Sequence, residues 1–160
     1  MLVAKMDWKD LRMCELGNQH LREDPVFGSH TIAKNFFQSL GVFHVSIDIN
    51  GRDGALPINL CKLVKDELAE SFDVVTNFGT SEHVEDQAIC FQNIYRLCRD
   101  GGLSIHMVPA TDNWKGHGLT SYDFDSFKSL AAGNKIMDLR LFNALGPGYD
   151  LIAATIRKSK

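Results

Sequence analysis

Metal-type cysteine spacing is missing from this chain: Cys14, Cys61, Cys90 and Cys98 form no CxxC pair. That argues against a zinc ribbon, and free, buried, intracellular thiols are the expected state. No run approaches the roughly 18 apolar residues of a membrane helix, so no membrane partner is expected. The first ten residues, MLVAKMDWKD, carry Lys5 and Asp7 and no apolar core of signal length, which reads as a cytoplasmic protein. Excess positive charge is also lacking: 17 Lys and Arg against 20 Asp and Glu leave a net charge of −3. Without a basic field for a phosphate backbone, nucleic acid is not the expected partner. A G-x-G-x-x-G fingerprint is absent, which counts against a nicotinamide-dependent oxidoreductase. Internal repeats and low-complexity segments are absent as well. What is present is 44% hydrophobic and 23% charged over 160 residues, an ordinary globular composition that fits one domain over residues 1–160.

The stretch from Phe72 to Pro109 organises the rest. Asp73-Val74-Val75-Thr76-Asn77 is a short β-branched run, the mark of a strand buried on both faces. A helix is predicted over about Glu85 to Arg99, with Glu85 and Asp86 at the positive end of its dipole. Cys90, Ile94, Leu97 and Cys98 form its apolar stripe. Gly101-Gly102 supplies a left-handed stop, and Leu103 to Val108 begins the next strand, ended by Pro109. Strand, helix, strand at this length is a parallel crossover. In such sheets ligands sit outside the carboxyl ends of the strands, which places Asn77 to His83, and the segment after Val108, at the mouth of a site.

Upstream, Leu11 to Leu16 reads as the first strand, ending in Gly17-Asn18-Gln19. A helix is predicted from about Ser29 or His30 to Leu40, with Ser29 as N-cap candidate and Ile32, Phe36 and Leu40 facing the sheet. Val42 to Ile49 is the second strand, and Asp48 at its carboxyl end can accept both hydroxyls of a ribose. The competing reading of Asp48 is a turn former, since Asp48 to Gly54 is rich in turn residues. Ala55 to Leu60 is predicted as a short third strand with Asn59 near its tip, and Lys62 to Ser71 as a helix. After Pro109 come a polar loop holding Trp114 and His117, a helix from about Asp123 to Ala132, and strands Ile136–Phe142 and Tyr149–Ile156. The connection between those last strands is too short for a helical crossover, so the final strand should be antiparallel. Periodicity alone yields a mostly parallel α/β sheet.

FDVVTNFGTSEHV, a helix and CRDGGLSIHMVP together resemble the fourth strand, following helix and fifth strand of class I S-adenosylmethionine-dependent methyltransferases, in their small-molecule branch. The resemblance is best in this half and weaker over the rest of the chain. It implies a single-domain Rossmann-like fold, with a mostly parallel seven-stranded sheet and an antiparallel last strand. It also implies S-adenosylmethionine as cofactor and S-adenosylhomocysteine as product. Glu15, Leu16 and Gly17 match the acidic-hydrophobe-glycine start of the family's first motif, but Gln19 and Leu21 stand where two further glycines belong. The resemblance implies that Glu15, Gly17, Asn18, Gln19, Asp48 and Ile49 bind the cofactor, with Glu15 and Gly17 bordering the methionyl part and Asp48 the ribose. Asn59 and Leu60 fall to the adenine, and Asn77, Phe78 and Gly79 beneath the transferring methyl. His83, in the EHV segment, and His117, after the VP, are the catalytic candidates; His106 inside the strand reads as a core histidine.

The segment Asn77-Phe78-Gly79-Thr80 keeps only the first residue of the Asn/Asp-Pro-Pro-aromatic motif of amino-methyltransferases, which argues against DNA bases as substrate. A metal cluster drawn from Glu82, His83, His106, Asp112 and His117 lacks any HxxxH or CxxC spacing, so no metal is expected. The implied function is methyl transfer to a small molecule or an exposed side chain. Its rival is a cofactor-binding or vestigial domain without turnover, acting as a regulatory or partner subunit, or as a homo-oligomer.

Overall fold

The computed structural model describes residues 8–143 and 145–160. Met1–Asp7, on which most of the leader reading rests, and Ala144 lie outside the described residues. Strands β1 (Arg12–Leu16), β2 (Phe43–Ile47), β3 (Phe72–Phe78), β4 (Cys98–Pro109), β5 (Lys135–Asn143) and β6 (Asp150–Arg157) alternate with helices α1 (Ala33–Ser39), α2 (Gln87–Leu97) and α3 (Phe124–Leu130). They form one sheet in the order β2-β1-β3-β4-β6-β5. The first four strands pair in parallel, whereas β6 runs antiparallel to both β4 and β5. The four apolar runs are thus the parallel strands, with β1 inside the sheet, and the last hairpin has the antiparallel sense that its short connection requires. No helix among the described residues is long and apolar enough to cross a membrane.

The sheet has six strands among the described residues rather than seven. Leu56 makes one parallel bridge to Ile47, through Leu56 N–H to Ser46 O and Asp48 N–H to Leu56 O, and pairing stops there. The next ladder donor, Ile58 N–H, turns back to Leu56 O at 2.8 Å, and Asp48 O accepts Gly51 N–H at 3.0 Å instead. The helix predicted over Lys62 to Ser71 is reduced to a 3-10 turn at Asp66–Leu68. The fully buried Asn93 of α2 explains this. Its Oδ1 accepts Val64 N–H at 2.9 Å, and its Nδ2 donates to Leu60 O and Lys62 O at 3.1 and 2.8 Å. Arg96 Nε adds a bond to Val64 O. The backbone groups a helix would have paired internally are paired to side chains instead.

Helix α1 starts later than expected, with Ile32 in extended conformation at its N-cap and no role for Ser29. Ile32 is held by a bridge to His20. The inward face consequently turns by one residue: Ala33 is buried and Phe37 packs on Met13, Val42 and Val74, while Leu40 is exposed. Helix α2 is shorter than predicted and is capped by Asp86, whose side chain accepts Ile89 N–H. Its stripe of Cys90, Ile94, Leu97 and Cys98 is fully buried against β1, β3 and β4 residues. Cys14, Cys90 and Cys98 are free and buried, and burial pushes the Cys98 thiol up to about 11. Gly101-Gly102 does not stop the helix but lies inside β4, where the pairing with β3 slips between Phe72 and Val74. A Cβ on Gly102 would come within 2.9 Å of Asp73 O and 2.8 Å of Cys98 Sγ, so glycine permits the close approach. Helix α3 begins with a capping box between Asp123 and Ser126.

Replacing Asn93 with Leu leaves two buried backbone groups, Val64 N–H and Leu60 O, and the part-buried Lys62 O without their partner. We expect a stability loss of about 3 kcal/mol or more in urea denaturation. A loss below about 1 kcal/mol would mean that the 60–64 segment pairs its backbone some other way.

Candidate functional site

The order of the sheet reverses at β1, which has β2 on one side and β3 on the other. Connections leaving the carboxyl ends of neighbouring strands diverge at such a point and leave a crevice. A cleft of about 480 Å³ opens there, within the size range of small-ligand sites. Its wall comprises Gly17, Asn18 and Gln19 after β1, Asp48 and Ile49 after β2, and Gly79, Thr80 and His83 after β3. Ile58, Asn59, Leu60 and Cys61 close one side, with Val84, Glu85 and Leu119 near His83. Of the residues singled out from sequence, Glu15, Asn77, Phe78 and His117 are not part of this wall.

Asp48 ties the crevice together. Its Oδ2 accepts Asn18 N–H and its Oδ1 accepts Asn50 N–H, both at 3.0 Å, so one carboxylate holds the ends of β1 and β2 at fixed separation. It is therefore more than an exposed turn residue. Asn18 Nδ2 donates to Asp53, and Lys34 Nζ reaches Gly54 O at 2.9 Å, folding the 50–54 loop against the first motif. Asn18 Oδ1 is buried without a hydrogen-bond partner. Gly17 has φ +78°, and a Cβ there would meet Thr80 Oγ1 at 2.5 Å and Gln19 Nε2 at 2.7 Å. Gln19 lies across this glycine, donating from Nε2 to Leu16 O and Thr80 Oγ1 at 3.3 Å. Asn59 forms an Asx turn by accepting Cys61 N–H at 2.9 Å.

The far wall is shaped by a buried polar chain. Asn77 Nδ2 donates to Ser81 Oγ at 2.8 Å, and Asn77 Oδ1 accepts Ser81 N–H at 3.0 Å. Ser81 Oγ lies 2.8 Å from Tyr122 Oη, which donates to Gln87 Oε1 at 2.6 Å. Gln87 Nε2 in turn donates to Ser81 O and Val84 O. Asn77 is thus consumed by this network, and Phe78 is a partly buried β3 residue. His106 is fully buried, stacked on Phe91 at 5.6 Å and within 2.9 Å of Ser104 Oγ; burial lowers its pKa to about 3. It is a core histidine, as its strand position suggests.

The network fixes the turn Ser81–His83, in which Glu82 is buried and His83 exposed. Glu82 O accepts Leu119 N–H and Thr120 N–H at 2.7 and 3.1 Å, and Gly118 approaches so closely that a Cβ would sit 2.9 Å from Glu82 Cγ. That contact carries the neighbouring His117 over Glu82. His117 Nε2 lies 3.4 Å from Glu82 Oε1, and the His83 and His117 rings stand edge to face with centroids 4.8 Å apart. The two sequence-predicted histidines therefore meet, with His83 on the cleft wall and His117 behind it. Burial pushes the Glu82 carboxyl above its usual range, opposed by its own N–H and the two imidazoles. Trp114 anchors the loop: its Nε1 donates to Asp150 O at 3.1 Å, and its ring meets Tyr149 edge-on. Glu82, Thr80 and Tyr122 are the participants that sequence reasoning left without a role in the site.

Glu15 lies beneath the first motif rather than in the cleft. It is buried, accepts Gln19 N–H at 3.3 Å, and stands 3.9 Å from His44 Nε2, itself buried. Burial raises Glu15 from its ordinary 4.5 to about 8, with the Gln19 N–H opposing. Burial lowers His44 from 6.5 to about 4, helped by the charge of Lys34. Near pH 6.5 the folded chain thus holds both groups neutral. As pH rises from 6.5 to about 8, the folded chain keeps a Glu15 proton that the unfolded chain has lost, so stability falls. Between 4.5 and 6.5 the unfolded chain takes up the proton at His44 that the folded chain carries on Glu15, and the two effects cancel. Below 4.5 only His44 differs, and stability falls as pH drops toward 4. We expect roughly 1–2 kcal/mol to be lost between about pH 6.5 and 8, and Glu15→Gln to abolish that decline in urea titrations. A flat profile over the same window would mean that the folded chain, like the unfolded one, has already lost the Glu15 proton by about pH 6.5.

Comparison with known proteins places this geometry in context. Residues 58–106 match a family model described as a methyltransferase domain. No curated protein matches the chain by sequence. Among solved structures, the chain is similar to the 1,6-didemethyltoxoflavin-N1-methyltransferase of Burkholderia thailandensis, bound to 1,6-didemethyltoxoflavin and S-adenosylhomocysteine. That match has a TM-score of 0.71 and 14% identity over 95% of this chain and 72% of that one. It is similar also to the N-methyltransferase NodS of Bradyrhizobium japonicum WM9 in complex with S-adenosylhomocysteine, with a TM-score of 0.68 and 14% identity over 95% and 80% of the two chains. A SAM-dependent methyltransferase of Methanosarcina mazei gives a TM-score of 0.68 and 12% identity over 94% and 93%. At such identities the likeness speaks for the fold. The domain match and the sheet order together assign the chain to the class I S-adenosylmethionine-dependent methyltransferase fold.

Proposed function

We propose that this chain, as a single domain over residues 1–160, binds S-adenosylmethionine in the switch-point cleft and directs its methyl group to a small molecule or an exposed side chain. The observation that carries the reading is Asp48: a carboxylate at the carboxyl end of β2, on the wall of the cleft, fixed by two backbone N–H groups. Each of its oxygens retains acceptor capacity for a ribose hydroxyl. The fit has two further supports. Gly17 has the left-handed backbone and crowded surroundings of a close-approach position, and Asn18 Oδ1 is a buried acceptor in want of a donor. Ile49, Asn59 and Leu60 offer the adenine side, and Gln19, Gly79 and Thr80 the sulfonium side. Such a cofactor supplies a methyl on an already activated leaving group, so the protein's part is alignment and, where needed, proton removal. His83, exposed on the wall, would accept a proton from the acceptor, with the His117 ring edge to face against its own and Glu82 paired to His117.

S-adenosylhomocysteine titrated calorimetrically into the folded chain is expected to bind. Asp48→Ala should weaken it roughly 10- to 150-fold, the worth of losing hydrogen bonds to a charged group. Because the same carboxylate ties two loops, this variant should also lose about 1–3 kcal/mol of stability. Affinity measured well below the melting transition and left unchanged by Asp48→Ala would remove the ribose role.

Gln19 covers Gly17 with side-chain atoms where a second glycine would leave space. Gln19→Gly is expected to tighten S-adenosylhomocysteine. Weaker binding would make Gln19 a ligand contact instead.

A further inference from the structure

Among the described residues, Glu82, His83 and His117 each present one donor atom, and these three atoms lie within 4.8 Å of one another. We propose that they form a binding site for one divalent transition-metal ion of the zinc class. Two imidazole nitrogens and one carboxylate oxygen are the donor set of many such sites, which leave a position for water or a substrate oxygen. Donors about 2.0–2.1 Å from an ion in a tetrahedral shell are ~3.3 Å apart. The His117 Nε2–Glu82 Oε1 pair already stands at 3.4 Å. The remaining closure falls to His83, which is exposed on the cleft wall.

A second, independent observation comes from Glu82 itself. Its side chain is 1% exposed, yet Oε2 has no hydrogen-bond partner, so a buried carboxylate is left partly unsatisfied. Hydrogen bonding to His117 alone accounts for Oε1 only. An ion held between the carboxylate and the two rings would neutralise the buried charge, which is otherwise costly to keep there. The surrounding structure holds the donors in place without help from a ligand. Ser81 is locked by Asn77 and Tyr122, and Gly118 brings His117 over Glu82. Because His83 is on the cleft wall, the ion would stand at the acceptor's side of the cleft. With the ion bound, the two histidines would act on an acceptor oxygen through it, and the base role proposed above for His83 would belong to the ion-free chain. Binding of the ion itself does not depend on the proposed methyl transfer.

The test is calorimetric titration of the chelator-treated full chain with Zn2+ alone, with no adenosyl ligand present. One ion per chain is expected, weakened at least about tenfold by His117→Ala and by His83→Ala. His30→Ala, at a half-buried histidine that packs on Phe36 ahead of α1, should leave it unchanged. Glu82→Gln should weaken it as well, and if that variant fails to fold, the two surface histidines decide. Absence of saturable binding overturns the proposal, as does equal affinity in the His83 and His117 variants. Mg2+ binding as tightly as Zn2+ would also overturn it, since a hard oxygen-seeking ion does not select imidazole.

Discussion

The hydrogen-bonded chain from Asn77 through Ser81 to Tyr122 and Gln87 is the constraint on which the site depends. Its members are buried or nearly so, and a buried polar group without a partner costs more than a formed hydrogen bond contributes. Each link therefore has to be made, and making them joins three separate pieces of the fold. Asn77 is at the end of β3, Gln87 opens α2, and Tyr122 precedes α3. With Ser81 held at their meeting point, the next two residues have no freedom of direction: Glu82 faces inward and His83 outward. The second loop docks onto that same turn through Glu82 O and Gly118.

On the opposite wall the equivalent tie is electrostatic and backbone-directed. Asp48 receives an N–H from each of two loops, and the β1–β2 end of the crevice is held open at one width. Directly beneath, Glu15 and His44 are an acid and a base kept neutral by burial. An ionised pair in that position would have to recover the desolvation of two charges; the neutral pair avoids it. The cleft thus rests on a floor with little net charge, while the half-buried Asp48 and the exposed His83 are on its wall.

The parallel core was legible in the sequence because four apolar runs and one helical stripe bury their own pattern. Arg12–Leu16, Phe43–Ile47, Phe72–Phe78 and the Cys90 to Cys98 stripe follow from periodicity. Asp48 was legible too, since position at a strand's carboxyl end suffices to put a residue at the crevice. The Lys62 to Ser71 helix was not, because propensity there lost to Asn93, a residue of another element that took over its backbone groups. The seventh strand failed after a single bridge because Ile58 N–H turns back to Leu56 O and Asp48 O is taken by Gly51 N–H, so the next ladder bond is not made.

The sequence by itself determined the class of fold, the crossing of β3 over α2 to β4, and the edge of the sheet on which ligand-binding groups gather. Those depend on hydrophobic period and on turn residues, which act over a few positions at a time. Only the tertiary structure decided that Asn77 is spent on Ser81, that Gln19 lies across Gly17, and that Glu82 joins His83 and His117. Each of these is completed by a residue distant along the chain: Tyr122 for Ser81, Thr80 for Gln19 and His117 for Glu82. Their geometry is set by which buried polar atoms find partners once the sheet has closed, and no local spacing encodes that.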